Sequence, residues 1–305
     1  MLMPAQMVSH DGGERRCGVE IEFAGIGVEA AVTCVTALYG GEASIESRFL
    51  AHVRDTRSGD FTIEVDASFL QDDGYRDFLA RLGLDIDVLD WRRPLEELLA
   101  DLSAVVVPLE VCTPPLPMRE LPLVERLIKA LRERGAQGTG QSFLYAFGMQ
   151  LNPEAAALDA AYILRMLQAY LVIARERDPR AGIDITRRLS PFVKPFSKPF
   201  AAHFTNPDYA PDQRTLIDDY LRLNPTRNRP LDLLPLLAHI DRERVLAGAL
   251  EPHLIKPRPA FHYRLPDCHI DRPDWTLADA WNGWLAIEDL AADRERLAHA
   301  LRHGA

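Results

Sequence analysis

Long apolar runs are missing from this 305-residue chain. No stretch of about 18 apolar residues occurs, so no membrane-crossing helix is expected. The opening segment, Met1 to Arg16, lacks a basic start followed by an apolar stretch. No secretory signal is evident there, and the cytoplasm is the expected compartment. Cysteine is scarce: Cys17, Cys34, Cys112 and Cys268 are widely spaced and form no Cys-x-x-Cys pair. That spacing argues against a disulfide framework or a cysteine zinc site and for reduced, mostly buried thiols. Gly-x-Ser-x-Gly, Walker A and His-Glu-x-x-His motifs are absent, which removes the commonest hydrolase and P-loop chemistries. Positive charge is also short: 35 Lys and Arg against 45 Asp and Glu leave a net charge of −10. Broad nucleic-acid binding needs a basic face to displace counterions, so neither nucleic acid nor membrane is an expected partner. His10, His52, His203 and His239 have no Ser, Asp or Cys partner at a recognisable spacing and read as structural or surface residues. His253 and His269 read the same way.

What is present is an ordinary globular composition that alternates short apolar strands with helices in its first half. Strands are expected at Cys17–Ala24, Phe61–Val65, Ala104–Cys112 and Phe143–Leu151, and helices at Val28–Leu38, Pro94–Leu102 and Leu121–Arg134, the last closed by Gly135. This implies a mixed sheet with helices on at least one side. From Asn152 the character changes. Helices are expected over Glu154–Ala174, Pro211–Leu223, Leu231–Ile240 and Leu277–Leu301, with a Pro/Lys/Arg-rich loop over Arg187–Phe200. A strand at Arg258–Leu265 should rejoin the first-half sheet, because a lone strand would leave its backbone unpaired. Trp275, Trp281 and Trp284 are expected to pack the last helix and its approach against the sheet.

Glu20 and Glu22 sit two apart in the apolar strand CGVEIEFA. Period-two geometry aims both carboxylates the same way, roughly 6–7 Å apart. Glu64 and Asp66 repeat the pattern in the next strand, and Glu110 closes a third within VVVPLEV. Neighbouring like charges in an apolar setting are costly unless a cation neutralises them, and a hard divalent ion suits oxygen ligands. The alternative is the solvated polar face of a half-exposed antiparallel sheet.

The order of these segments resembles the putative amidoligases. CGVEIEFAG at 17–25 is similar to their opening G-x-E-x-E-F strand, FTIEVDASF at 61–69 to a second strand ending in D-x-S, and PLEVCTPPL at 108–116 to an E-[LV]-x-[ST]-P-P-L segment. FGMQLNPE at 147–154 occupies the place of a G-x-H-x-H-x-N strand, and FHYRLPDC at 261–268 resembles the late E-[FV]-R-x-P-D strand. The resemblance spans about residues 15–285. It implies an α+β fold of glutamine synthetase type: a curved, largely antiparallel sheet with helices on one side and a helical C-terminal part. It further implies one catalytic domain over 1–305, sheet-rich at 15–152, helix-rich at 153–257, and closed by a returning strand and helix at 258–302.

The implied activity is ATP-dependent joining of a carboxylate to an amine through an acyl phosphate, with Mg2+ or Mn2+, on small-molecule or peptide substrates. By position, Glu20, Glu22 and Glu110 would hold metal, and Glu64 or Asp66 would support a metal or contact substrate. Arg264 would stabilise the transferred phosphoryl group, and Asp66 would take the amine proton. Two departures stand out. His262 replaces the usual glutamate, which leaves an imidazole as a possible metal ligand, and Gly148 and Gln150 replace the histidine pair, which leaves Gln150 an amide oxygen to offer. NPTRNRP at 224–230 resembles the arginine stretch of glutamine synthetases, so Arg227 and Arg229 are candidates for phosphate, against a helix cap with solvated arginines. Arg187, Arg188, Lys194 and Lys198 form a second basic segment able to face a polyphosphate, against a plain solvated loop.

Two other functions compete. Gly25-Ile-Gly27-Val-Glu-Ala30 mimics a dinucleotide-binding turn, which would make an NAD(P)-dependent oxidoreductase, but Glu20 and Glu22 do not belong in a strand buried on both faces. A non-catalytic interaction protein on a ligase fold is the other.

Overall fold

The computed structural model describes residues 1–65, 109–139, 147–176, 194–264 and 266–303. Asp66, Arg187, Arg188 and the helix expected at 94–102 lie outside these residues.

Strand β1 (Arg16–Phe23) sets the pattern. Cys17, Val19, Ile21 and Phe23 are wholly buried on one face, while Glu20 and Glu22 on the other keep some contact with solvent. Helix α1 (Val28–Tyr39) follows as expected, burying Val28, Ala31, Val32 and Val35 at helical spacing. A hairpin of β2 (Glu42–Ser47) and β3 (Leu50–Arg54) comes next and was not foreseen. β2 is exposed almost throughout, so it carries no apolar alternation to read. β4 (Phe61–Val65), β5 (Leu109–Cys112) and the short β6 (Leu116–Pro117) lead to α2 (Leu121–Glu133). Gly135 ends that helix with φ +96°, a left-handed conformation that glycine adopts without penalty, as its position suggested.

β7 (Met149–Pro153) runs into a segment where helix was expected from Glu154, yet α3 spans Ala160–Glu176. Glu154 and Ala155 instead continue backbone pairing, with Ala260 and Pro259, and Asp159 caps the delayed helix through the Tyr162 amide. The proline-rich stretch enters a helix, α4 (Lys198–Phe204), because the Ser197 hydroxyl caps it. α5 (Gln213–Leu223) matches expectation, whereas the helix expected over 231–240 opens with a two-residue strand, β8 (Leu231–Asp232), before α6 (Leu234–Ile240). α7 (Arg242–Gly248) and the short returning strand β9 (His262–Tyr263) follow. The closing helix is two: Asp293 leaves helical geometry and caps the second piece through the Arg296 amide, dividing α8 (Leu277–Ala292) from α9 (Arg294–His303).

The strands form one sheet in the order β2-β3-β4-β5-β1-β7-β9-β8, with β6 beside the start of β1. Every pairing between described strands is antiparallel, where periodicity suggested a mixed sheet and the family resemblance a largely antiparallel one. The returning strand does rejoin it, between β7 and β8. The apolar face is covered by helices. Trp281 and Trp284 are wholly buried, and the Trp284 ring lies 5.3 Å from Phe261 and 5.8 Å from Tyr263, which fixes α8 over β9.

A buried ion pair ties the two ends of the chain. Arg15, wholly buried, forks onto Glu288 of α8 at 2.6 and 3.0 Å, and its remaining donors meet the backbone carbonyls of Glu154 and Gln6. The Trp284 indole also donates to Glu288, at 2.6 Å. Every arm of the guanidinium is satisfied, which is what a charge at that depth requires. Glu288→Ala should therefore lower stability by about 3–5 kcal/mol in urea unfolding, since it leaves that charge buried and unpaired. A loss below about 1 kcal/mol would mean the pair does not hold α8 to the sheet.

Candidate functional site

The face of the sheet opposite the core collects the polar side chains, and register decides their neighbours. Glu64 on β4, Glu110 on β5 and Glu22 on β1 are directly opposed in one row. The next row holds His52, Thr62, Cys112, Glu20 and Gln150, one from each of β3, β4, β5, β1 and β7. Directly opposed side chains lie about 5 Å apart, so the first row sets three carboxylates side by side across three strands. Glu110 is only 9% exposed.

Local donors hold these carboxylates. The Gly148 amide donates to Glu22 Oε2 at 2.5 Å, the Asn152 side-chain amide to Glu20 Oε1 at 2.6 Å, and the Cys112 thiol to Glu110 Oε1 at 2.8 Å. Gly148 thus serves through its backbone amide. Burial, followed by Glu110, Glu20 and Glu64, pushes the Cys112 thiol well above its usual pKa, so it stays protonated and donates.

Among the described residues no group of three or more His, Cys, Asp or Glu side chains is gathered to enclose a metal ion. Magnesium keeps several waters and binds through one or two carboxylates plus substrate phosphates, so it does not require such a group. Hard oxygen donors in a row, with like charges directly opposed, fit such an ion chemically.

The far end of the same face is cationic. Asp232 on β8 is wholly buried and directly opposes His262 on β9. Its Oδ2 accepts from Arg227 Nε at 3.2 Å and lies 3.6 Å from Arg264 Nη2, while Oδ1 accepts the Leu234 amide. Arg258 joins this cluster, and no hydrogen bond or ion pair links its side chain to any described residue. Crowding has an electrostatic signature: burial and then the Arg264 charge depress the Arg227 pKa, with Arg258 adding to the effect against Asp232. Arg229 sits at the margin, its guanidinium 5.9 Å over the Phe196 ring. Lys194 and Lys198 are exposed.

The sequence therefore named both ends of the face. Glu20, Glu22, Glu64, Glu110 and Gln150 stand together at one, Arg227, Arg264 and His262 at the other, and Asp66 lies outside the described residues. Asp232, Arg258 and Asn152 were missed. Asp232 was read into a helix, and its one local signal was Asp two residues before the amide it caps. Two surface hollows lie elsewhere, one bounded by Asp218, Asp241 and Arg244, the other between α3, α8 and α9. The first is walled by carboxylates that Arg244 already pairs, and neither gathers a reactive set.

Asp232→Ala should destabilise the chain by about 3 kcal/mol, because mutually repelling guanidiniums lose their buried counter-charge. Sulfate should restore part of that loss in thermal unfolding; an equal loss with and without sulfate would mean the cluster takes no anion.

A family model described as a putative amidoligase enzyme matches residues 13–286. No curated protein and no solved structure matches the chain.

Proposed function

The chain belongs to the putative amidoligase family, and on that premise we propose that it is an ATP-dependent, Mg2+- or Mn2+-dependent carboxylate–amine ligase working through an acyl phosphate. The observation that carries this reading is the polarity of one sheet face: an opposed carboxylate row at β4, β5 and β1, and a guanidinium cluster at β9 and β8. Such a face offers cation ligands and phosphate ligands at the two ends of a polyphosphate, and placement of charge is most of what phosphoryl transfer asks of a protein.

In this proposal Glu22, Glu110 and Glu64, with Glu20 alongside, hold the divalent ion. When bound, the ion neutralises phosphate charge and draws the oxygens into position. Arg264 and Arg227 hold the phosphoryl oxygens, with Asp232 fixing the aim of both guanidiniums. Arg229, Lys194 and Lys198 meet the outer phosphates in this proposal. A substrate carboxylate oxygen attacks the γ-phosphorus, the bond to ADP breaks, and an acyl phosphate forms. The amine nitrogen then attacks the acyl carbon, phosphate leaves, and the amine proton passes to a base, for which Asp66 is the candidate. The substrates are a small-molecule or peptide carboxylate and an amine.

A dinucleotide-binding function finds little support. Its strand–turn–helix unit belongs to a parallel sheet, whereas β1 is flanked by antiparallel partners on both sides.

Incubation with ATP, Mg2+ and pooled amino acids and amines should release ADP, and Glu22→Gln should reduce that release by roughly 100-fold. ADP release unaffected by the change would contradict the site assignment. Absence of both ADP release and magnesium-dependent ATP binding would favour a non-catalytic interaction protein on a ligase fold.

A further inference from the structure

His262 is wholly buried and its Nε2 has no hydrogen-bond partner among the described residues. Its ring is reached by a chain of side-chain hydrogen bonds that crosses the sheet from the acidic end. Glu20, a carboxylate, can only accept, so the Asn152 group facing its Oε1 at 2.6 Å must be the NH2. Asn152 Oδ1 is then the acceptor for the Gln150 NH2, 3.0 Å away. The second hydrogen of that NH2 points to His262 Nδ1 at 3.3 Å, so Nδ1 must be the bare, accepting nitrogen. In a neutral imidazole the proton then sits on Nε2.

The ring is held neutral. Burial, then Arg258, Arg264 and Arg227, drive its pKa well below the usual histidine value. The wire therefore ends in a buried N–H donor with no acceptor among the described residues, beside guanidiniums that each keep some solvent exposure. An orphaned buried donor is costly, and the guanidiniums of Arg258, Arg264 and Arg227 around it favour an acceptor that is also an anion. Arg258 has the same need: its Nε is buried without a partner among the described residues.

We propose that His262, through its Nε2–H, and Arg258 are ligands of the phosphoryl group at the β9–β8 end of the face, His262 acting as a neutral hydrogen-bond donor and not as a metal ligand. A cation at this position would stand among guanidiniums, whereas a phosphate oxygen satisfies the orphaned ring donor and the crowded cations together. The inference rests on the anion half of the ligase proposal and is independent of whether an amide is made.

Calorimetric titration of the full chain with inorganic phosphate, without ATP or metal, tests it. The wild-type chain should bind phosphate. His262→Phe should weaken binding about 10-fold or more, the worth of a hydrogen bond to a charged group, while His262→Gln, which keeps an N–H near the Nε2 position, should stay within about threefold. Arg258→Gln, at a part-exposed residue with no structural partner, should fold normally and also lose about 10-fold. Nitrogen-15 spectra of the His262 ring should show a protonated Nε2 and a bare Nδ1, with the Nε2–H resonance moving on phosphate addition. Wild-type phosphate affinity in His262→Phe, no phosphate binding by the wild type, or a protonated Nδ1 with a bare Nε2 would each overturn the proposal. A loss of ADP release in Glu22→Gln with phosphate binding intact would leave it standing, because the two ends of the face are read separately.

Discussion

Three glutamates facing one another across adjacent strands are the constraint around which this fold is arranged. Glu64, Glu110 and Glu22 repel, and nothing in the polar pattern alone would bring them abreast. The other face of the same strands does. Ile63, Val111 and Ile21 are wholly buried there, and a slip of one residue would push them into water and drive the carboxylates into the core. Apolar burial, at roughly 1.5–3 kcal/mol for each large side chain, thus overrides the repulsion and fixes the register. The face then carries concentrated negative charge, met in part by the Gly148, Asn152 and Cys112 donors.

The same register places the opposite charge at the other end of the sheet. Gln150 and Asn152 on β7 are neutral amides that separate carboxylate from guanidinium and pass a hydrogen-bond polarity from Glu20 to His262. Among the described residues Asp232 is the carboxylate that faces that cluster, and Arg227 and Arg264 share it. Sites that break local rules of charge and satisfaction are where function is expected, since stability alone would replace such groups with apolar ones.

Much of this was legible because β1, α1, β4 and α2 obey their own periodicity, and Glu20 and Glu22 were placed on one face by alternation alone. What escaped has local causes. β2 is exposed almost throughout and so gives no alternation, β9 and β8 are two residues long and are strands only because β9 pairs with β7 and β8 with β9, and α8 ends at Asp293 through a capping choice that an apolar pattern does not register. The hydrogen-bond chain from Glu20 to His262 joins residues 242 positions apart in the sequence, and only the pairing of β1, β7 and β9 reveals it. Arg258 was overlooked because nothing in its neighbourhood announces a ligand until the fold crowds three arginines together.

Anomalous manganese scattering from crystals of the chain grown with Mn2+ and a non-hydrolysable ATP analogue tests the central claim most directly. A manganese peak within ligating distance of Glu22 and Glu110, with the analogue's phosphates running toward Arg264 and Arg227, is the expected result. A nucleotide bound elsewhere, or manganese confined to surface carboxylates such as Asp218 and Asp241 with none on the β4–β5–β1 row, would contradict it.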